Sequence, residues 1–301
     1  MTIIYGAIQL GLIYSLLAMG IYISFRILNT PDLTAEGSFT LGMAVLATSA
    51  TMGKPLLGLV LAMLAGALAG LVTAFLQTKL RIPPILSGIL TMTGLYTINL
   101  IVMSGASNVT LIGVNTIYSP GIRLSPLPPD VSRILVTLLI VVLLTALLTV
   151  YFKTNSGLCI RALGDNEAMA RASSINVSRY KSLALMISNS LIALSGALIA
   201  SDQGFADMNS GAGMLVVGLA AIILGEVFFR RRAVLPGLLA SIIGSLVYRF
   251  ILTAAIRSNV FPSYWMKLLS ALIVAGALSI PALRRYREQY KLRRRNVYVE
   301  D

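Results

Sequence analysis

The feature that most constrains the fold is a series of long apolar runs joined by short connections. Of the 301 residues, 57% are hydrophobic and only 12% are charged, with a mean hydropathy of +0.86. Soluble domains carry about 25% charged residues, whereas about 20 consecutive apolar residues cross a bilayer as a helix. We therefore predict an all-α polytopic membrane protein, one domain over 1–301, with about nine transmembrane helices. The predicted spans are 1–25, 35–52, 55–77, 84–104, 133–152, 182–201, 212–229, 233–255 and 264–281.

Basic residues are distributed unevenly along the chain. It has 24 Lys and Arg against 11 Asp and Glu, a formal net charge of +13. Most of these cations lie in alternate connections and in the final segment, 284–301. Because cytoplasmic connections are enriched in Lys and Arg, we predict an N-terminus outside and a C-terminus in the cytoplasm. The pattern favours contact with membrane lipid over nucleic acid. No Lys or Arg precedes the first run, so we expect a span there and not a cleaved leader.

A weak internal repeat occurs at an offset of 175 residues. Ser15-Leu-Leu-Ala-Met aligns with Ser190-Leu-Ile-Ala-Leu, and Asp32-Leu33 aligns with Asp207-Met208. The two copies begin in spans of opposite predicted direction. Inverted repeats are a common plan of transporters, with the solute path at the repeat interface. We predict inverted halves over 3–152 and 182–281; chance similarity between two apolar helices is the alternative.

The sequence lacks the motifs of several enzyme classes. It has no Gly-x-x-x-x-Gly-Lys-Ser/Thr phosphate loop, no histidine and a single cysteine, Cys159. ATP hydrolysis by that loop, a His-containing triad and a cysteine-based metal site are therefore excluded. We expect a non-catalytic chain without a cofactor or metal of its own.

Polar residues interrupt the apolar pattern in 29–40. Pro31 and Gly37 break it, and Glu36, Ser38 and Thr40 add polar groups. One interpretation is that Asp32 or Thr34 caps the second span. The other is a broken helix that lines a solute path, with Tyr96 and Asn99 as further lining residues. Polar residues in spans also cross-link neighbouring helices.

The connection 153–181 is the largest one predicted on the cytoplasmic side. We predict a pattern break at Gly164, a cap at Asp165 or Asn166, and Glu167 in the first turn of a short helix ending at Ser173. Asn176 is expected to take a left-handed position near its end. The simplest interpretation is a surface helix at the membrane interface.

This connection resembles the cytoplasmic coupling loop of permeases of ABC importers, of the branched-chain amino acid and ribose type. The matching residues are Gly157, Arg161, Ala162, Gly164, Asn166, Ala170, Ile175 and Asn176. Two more stretches are similar: 32–42, whose Asp-Leu-Thr-Ala-Glu-Gly-Ser form resembles tryptophan and tyrosine uptake permeases, and the late pair 219–225 and 236–244. The chain departs from the family at Ser174, where Gly is common, and at Gly225-Glu226, where Gly-Gly is common.

The resemblance implies a membrane subunit that relays the closure of a separate ATP-binding subunit. It implies a docking helix formed by Gly164, Asp165, Asn166, Glu167, Ala168, Met169, Ala170 and Arg171. It further implies a bacterial cytoplasmic (inner) membrane location and a homodimer of permease chains. The implied partners are two ATP-binding subunits that hold ATP-Mg and an extracytoplasmic solute-binding lipoprotein. The implied solute is an amino acid, with aromatic ones favoured. An ion-driven secondary transporter with an inverted repeat is the alternative, and a non-transporting membrane scaffold is a third.

Overall fold

The computed structural model describes residues 2–119, 128–229 and 233–257, together with a few positions between 268 and 279. It is all-α apart from one small strand pair. The helices are α1 (Thr2–Tyr22, continued by a π-helical turn, Ile23–Ile27), α2 (Thr34–Thr51), α3 (Pro55–Thr78), α4 (Pro84–Val102), α5 (Pro129–Tyr151), α6 (Asn155–Asp165), α7 (Glu167–Ala172), α8 (Val177–Gln203), α9 (Met214–Glu226) and α10 (Val234–Arg257). The chain divides into a large unit, Met1–Phe250, and a second, Ile251–Asp301, most of which lies outside the described residues.

Six helices in the described part of the chain are long and apolar enough to cross a membrane: α1, α3, α4, α5, α8 and α10. Two predicted spans fall outside this set. α2 has 18 residues but carries many polar groups, and α9 has only 13 residues. The predicted span 264–281 lies largely outside the described residues. The helical membrane architecture is therefore confirmed, whereas the count of nine stays a prediction.

α8 lies at the centre of the large unit. Of its most apolar window 78% is buried, and for α1 the share is 83%, against 22% for α5. Serine side chains tie α8 to α1: Ser188 Oγ donates to the Gly20 carbonyl at 2.7 Å, and Ser195 Oγ to the Ile13 carbonyl at 2.9 Å. These pairings show that α1 and α8 run antiparallel. Exposed leucines on α3, α4 and α5 suit faces that meet lipid or another chain.

α2 packs against α8, and small residues allow the contact. A Cβ atom on Gly42 would collide with the Ala193 carbonyl, and one on Gly196 with the Phe39 carbonyl. The two backbones approach too closely for any side chain at these two positions. Such small-residue contacts are the usual way in which membrane helices gain close packing.

A two-stranded antiparallel sheet closes one end of the bundle. β1 (Asn108–Thr110) follows α4, and β2 (Phe205–Asp207) follows α8, with Val109 opposite Ala206. Gly204 takes a left-handed conformation, φ 76°, at the end of α8 and directs the chain into β2. The sheet therefore fixes the end of α8 to the connection after α4.

Candidate functional site

The segment predicted as a docking helix, Gly164 to Arg171, contains the end of α6 and most of α7, and the ends of α7 are well defined. Asn166 caps it, since the Asn166 Oδ1 atom accepts the N–H of Met169 at 3.0 Å. Within it, Arg171 donates to Glu167 at 2.6 Å, an i,i+4 ion pair. At its end the Ile175 N–H reaches back to the Ala170 carbonyl at 3.0 Å. The predicted cap and first-turn acidic residue are confirmed.

Two details of that prediction are wrong. Gly164 does not end a helix but lies inside α6, which continues to Asp165. Asn176 is not left-handed: it caps α8 by accepting the N–H of Arg179 at 3.1 Å. The left-handed residue is Ser174, φ 60°. Because glycine adopts this conformation without steric cost, the structure explains why glycine suits this position.

α7 presents an outward face that makes few contacts with the rest of the chain. Residues 165–169 are all exposed, and Met169 has 68% of its surface accessible. Ala170 is buried and holds the helix against the protein. An exposed methionine beside polar side chains is a typical composition of a protein-docking surface, because methionine adapts its shape to an apolar groove.

The segment before α7 is fixed to the end of α1. Ile160 and Leu163 of α6 are buried. A Cβ atom on Gly164 would collide with the Ile27 carbonyl, so glycine permits the close approach of α6 to the π-helical turn. α6 and the end of α1 are therefore joined by a close backbone contact.

The π-helical turn also carries an ion pair to α9. Arg26 donates to Glu226, the last residue of α9, and both side chains are partly exposed. Arg26, Glu226, Arg161 and Asp165 line one cavity of about 830 Å³. Glu226 is one of the departures from the family pattern, and here it joins α9 to α1.

The start of α2 forms a buried network with α3 and α8, which we call the polar cluster (Asp32, Thr34, Ser38, Thr73 and Asn189). Asp32 accepts the Thr34 N–H at 2.9 Å and the Asn189 amide at 2.7 Å. Asn189 in turn accepts from Ser38 at 2.7 Å. The hydroxyls of Thr34 and Thr73 lie 2.7 Å apart. All five residues are buried, so water does not satisfy their polar groups. The hydrogen bonds do so instead, and they join the start of α2 to α3 and α8.

The polar cluster tests the first interpretation of the segment 29–40, that Asp32 or Thr34 caps the second span. Asp32 accepts the Thr34 N–H at the start of α2, but Leu33 occupies the N-cap position and makes no side-chain cap hydrogen bond, so neither Asp32 nor Thr34 is the N-cap residue. Asn189 was not singled out from the sequence. The sequence feature that could have identified it is that Asn189 is the sole asparagine of α8 and lies between Ser188 and Ser190 in an apolar run. Sequence alone does not reveal which helix it faces.

Glu36 and Thr40 lie on a different side of α2 from Ser38. The Glu36 carboxylate accepts the N–H of Gly213 at 3.0 Å, and Thr40 Oγ1 donates to the Glu36 carbonyl at 3.2 Å. Gly211 packs tightly against the same turn of α2. Glu36 is half-buried. It therefore accepts a backbone hydrogen bond from the 211–213 turn and is still partly accessible beside that turn.

The two predicted residues of α4 are placed differently from each other. The Asn99 amide donates to the Gly37 carbonyl at 3.3 Å and is buried against α2. Tyr96 has 54% of its surface exposed. The structure therefore brings Glu36, Ser38, Thr40 and Asn99 together around the start of α2, with Ser38 and Asn99 bonded to neighbouring helices, and leaves Tyr96 at the surface.

Metal-binding chemistry is not evident in the residues that the structure describes. Those residues contain no group of three or more His, Cys, Asp or Glu side chains that could hold an ion.

Comparisons with known proteins agree with the geometry. Residues 3–277 match the family described as "Branched-chain amino acid transport system / permease component". A tyrosine transport system permease protein of Clostridioides difficile (strain R20291) is 38% identical over 270 residues, 89% of this chain and 88% of that protein. An uncharacterized protein of Rickettsia prowazekii (strain Madrid E) is 35% identical, covering 93% and 98%.

A more distant relative is the autoinducer 2 import system permease protein LsrC of Enterobacter sp. (strain 638), 28% identical over 89% of this chain and 77% of that protein. No solved structure matches the chain. The family match covers most of the sequence, including α7 and the polar cluster. The chain belongs to the permease family of branched-chain amino acid transport systems and is an integral membrane component of an ABC-type transporter.

Proposed function

We propose that this chain is the transmembrane subunit of an importer that takes an amino acid, with aromatic ones favoured, from an extracytoplasmic binding protein into the cytoplasm. ATP-Mg is bound and hydrolysed on partner subunits, and a second copy of the permease completes the complex. The tyrosine permease among its relatives supports the solute class. Permease components of this family work with ATPase and binding-protein subunits, which supports the partner set.

The observation that carries this proposal is the exposed, doubly capped helix α7. A chain without an ATPase of its own has to receive work through a contact with another subunit. α7 offers an exposed face with Asn166, Glu167 and Met169, and its backbone is fixed at both ends. It is a rigid surface of the kind that a partner groove can grip.

The route from α7 into the membrane helices has two branches. One runs through Gly164 to the end of α1. The other runs through the Asn176 cap directly into α8, the central helix. Coupling requires two sites and an element with two arrangements. In this proposal α7 is the first site, the solute path is the second, and the packed pair α1 and α8 is the element that moves.

The inverted-repeat plan and the predicted orientation belong to the same proposal. The antiparallel packing of α1 and α8, which carry the two copies, supports it. So do the matching turns after them: Asp32 accepts the Thr34 N–H at 2.9 Å, and Asp207 accepts the Asn209 N–H at 2.8 Å. We place the N-terminus outside and α7 in the cytoplasm.

Glu36 is the residue that we assign to the solute path on chemical grounds. Its carboxylate is half-buried beside the turn that contains Gly211 and Gly213. A carboxylate in such a setting suits the ammonium group of an amino acid, because charge-assisted hydrogen bonds are strong where water is scarce. Thr40 lies one turn further along the same side of α2.

The test of the proposed coupling is the double variant Asn166→Ala with Glu167→Lys. It removes the cap and reverses a charge on the exposed face of α7. We expect uptake of radiolabelled tyrosine to be lost in cells that also make the ATP-binding and binding-protein partners, with an unchanged amount of folded permease in the membrane.

The matched control is Asn155→Lys, an exposed change in the same connection but away from α7. It should leave uptake near the wild-type level. Persistent uptake by the double variant would overturn the coupling role, and uptake that persists without ATP under an ion gradient would favour a secondary transporter.

A further inference from the structure

A second cavity, which we call the α7 cavity, lies beside the docking helix. It has a volume of about 870 Å³ and is bounded by the α3–α4 connection, α7 and the first turns of α8. This size is within the range of small-molecule sites, roughly 300–1,000 Å³. Neither the hydrogen bonds of the polar cluster nor the contacts that fix α7 account for it.

Two largely buried polar side chains lie on its wall, one with an unsatisfied amide and one without an ion pair in the part of the chain that the structure describes. Gln77 is 7% exposed, and both polar atoms of its amide are buried without a hydrogen bond. Lys181 is 9% exposed, and within the described part of the chain it has no ion-pair partner. Buried polar groups are nearly always satisfied in proteins. An unsatisfied amide and a lysine that makes no described ion pair, on the wall of one cavity, therefore point to a ligand.

The charges around the cavity select the sign of that ligand. Glu167 and Arg171 neutralise each other through their ion pair. Lys181 and Arg81 remain, so the lining is cationic. The start of the 27-residue helix α8 also forms part of the wall, and the partial positive charge of a helix N-terminus adds to the effect.

We infer that the α7 cavity binds an oxyanion, with Lys181 as the principal charged contact and Gln77 as a hydrogen-bonding contact. The oxyanion is a phosphate group, carried by a soluble molecule or by a phospholipid headgroup. Because Arg171 belongs both to α7 and to the cavity wall, an occupied site restrains the docking helix and regulates transport. That regulatory consequence depends on the proposed coupling role of α7, whereas binding itself does not.

The test uses the full chain in nanodiscs of phosphatidylcholine, with inorganic phosphate as the probe in equilibrium dialysis. We expect Lys181→Met to weaken phosphate binding about tenfold or more, because it removes a charge-assisted contact. Lys181→Arg should restore most of the binding. Lys79→Met, which removes an exposed cation outside the cavity, is the matched control and should bind as the wild type does.

A second arm identifies a lipid source. Native mass spectrometry of the chain from nanodiscs with phosphatidylglycerol should show a retained lipid that Lys181→Met loses, if the headgroup is the ligand. Binding of free phosphate without lipid retention identifies a soluble ligand. Equal binding by wild type and Lys181→Met, or no binding of either probe, would overturn the inference without affecting the coupling proposal.

A stability measurement separates a ligand site from a purely structural lysine. Without ligand, a largely buried lysine that makes no ion pair is unfavourable. The thermal midpoint of Lys181→Met in phosphate-free buffer should therefore equal or exceed that of the wild type. A clear fall in the midpoint would show that Lys181 supports the fold and would contradict the assignment.

Discussion

In α7 the polar side chains point away from the protein, whereas in α2 and α8 they are bonded to one another. Asn166 and Glu167 are exposed, and Met169 beside them is exposed as well. Asp32 and Asn189 are buried and share a 2.7 Å hydrogen bond. The difference teaches that a polar residue in this chain signals a partner where its side chain is exposed and bonded only within its own helix, not where it is buried and bonded across helices.

The comparison predicts that changes in the buried contact act on stability and that changes in α7 act on transport. The largest expected effect is that of Gly196→Leu. Its side chain would collide with the Phe39 carbonyl and force α2 away from α8. We expect almost no folded permease in the membrane. The measurement is gel filtration of a fluorescent fusion after solubilisation in detergent.

Gly94→Leu is the control for that variant. Gly94 lies on α4, where an added Cβ meets no atom within 4 Å. It should accumulate to near the wild-type amount. If Gly196→Leu folded equally well, the tight packing of α2 on α8 would be disproved.

The next effect is that of Asn189→Leu, which keeps a γ-branched side chain but removes the hydrogen bonds to Asp32 and Ser38, while Asp32 keeps the Thr34 N–H. An unsatisfied buried group costs about 1–3 kcal/mol. We expect the free energy of unfolding in mixed micelles to fall by about that amount.

A double-mutant cycle with Asp32→Ala should show coupling of about 0.5–3 kcal/mol between the two positions. Strictly additive losses would show that the two side chains do not interact. Uptake per folded molecule is the accompanying measurement, and it should decline less than it does for the α7 double variant.

For Met169→Ala we expect a small change in stability and a clear loss of affinity for the ATP-binding subunit. The side chain is exposed, so the thermal midpoint should stay within about 1–2 °C of the wild type. The affinity for the ATP-binding subunit should fall about tenfold, because truncating a central apolar anchor costs more than 1 kcal/mol. Unchanged affinity in a titration with the purified subunit would exclude Met169 from the interface.

The smallest effect is that of Ser174→Gly. Ser174 is held at φ 60°, a conformation that costs a residue with a Cβ atom about 1 kcal/mol. We expect a gain in stability of up to about 1 kcal/mol with uptake unchanged. A loss of stability would mean that the serine side chain compensates for its strain.

The sequence predicted the helices well where apolar runs have sharp ends. α3 was predicted at 55–77 and is observed at Pro55–Thr78, because Lys54-Pro55 and Lys79 mark its limits. α4 was predicted at 84–104 and is observed at Pro84–Val102. Prolines at the first helical turn make such starts easy to recognise.

Residues whose roles depend on a distant partner were harder to predict. Gly164 has the appearance of a helix breaker, yet it permits contact with Ile27, 137 positions earlier in the chain. Asn189 and the strand pair β1 and β2 likewise depend on contacts across the bundle. Periodicity and composition report burial in a membrane but do not report which faces meet.

The most direct test of the central claim is a cross-link from α7 to the ATP-binding subunit. Met169→Cys is introduced in a Cys159→Ser background, a maleimide–benzophenone reagent is attached to the new thiol, and the complex purified with its partners is irradiated so that the benzophenone inserts into a neighbouring C–H bond. The account predicts a covalent adduct of permease and ATP-binding subunit that is absent for Asn155→Cys. A purified complex that contains the ATP-binding subunit but gives no adduct from Met169→Cys would contradict it.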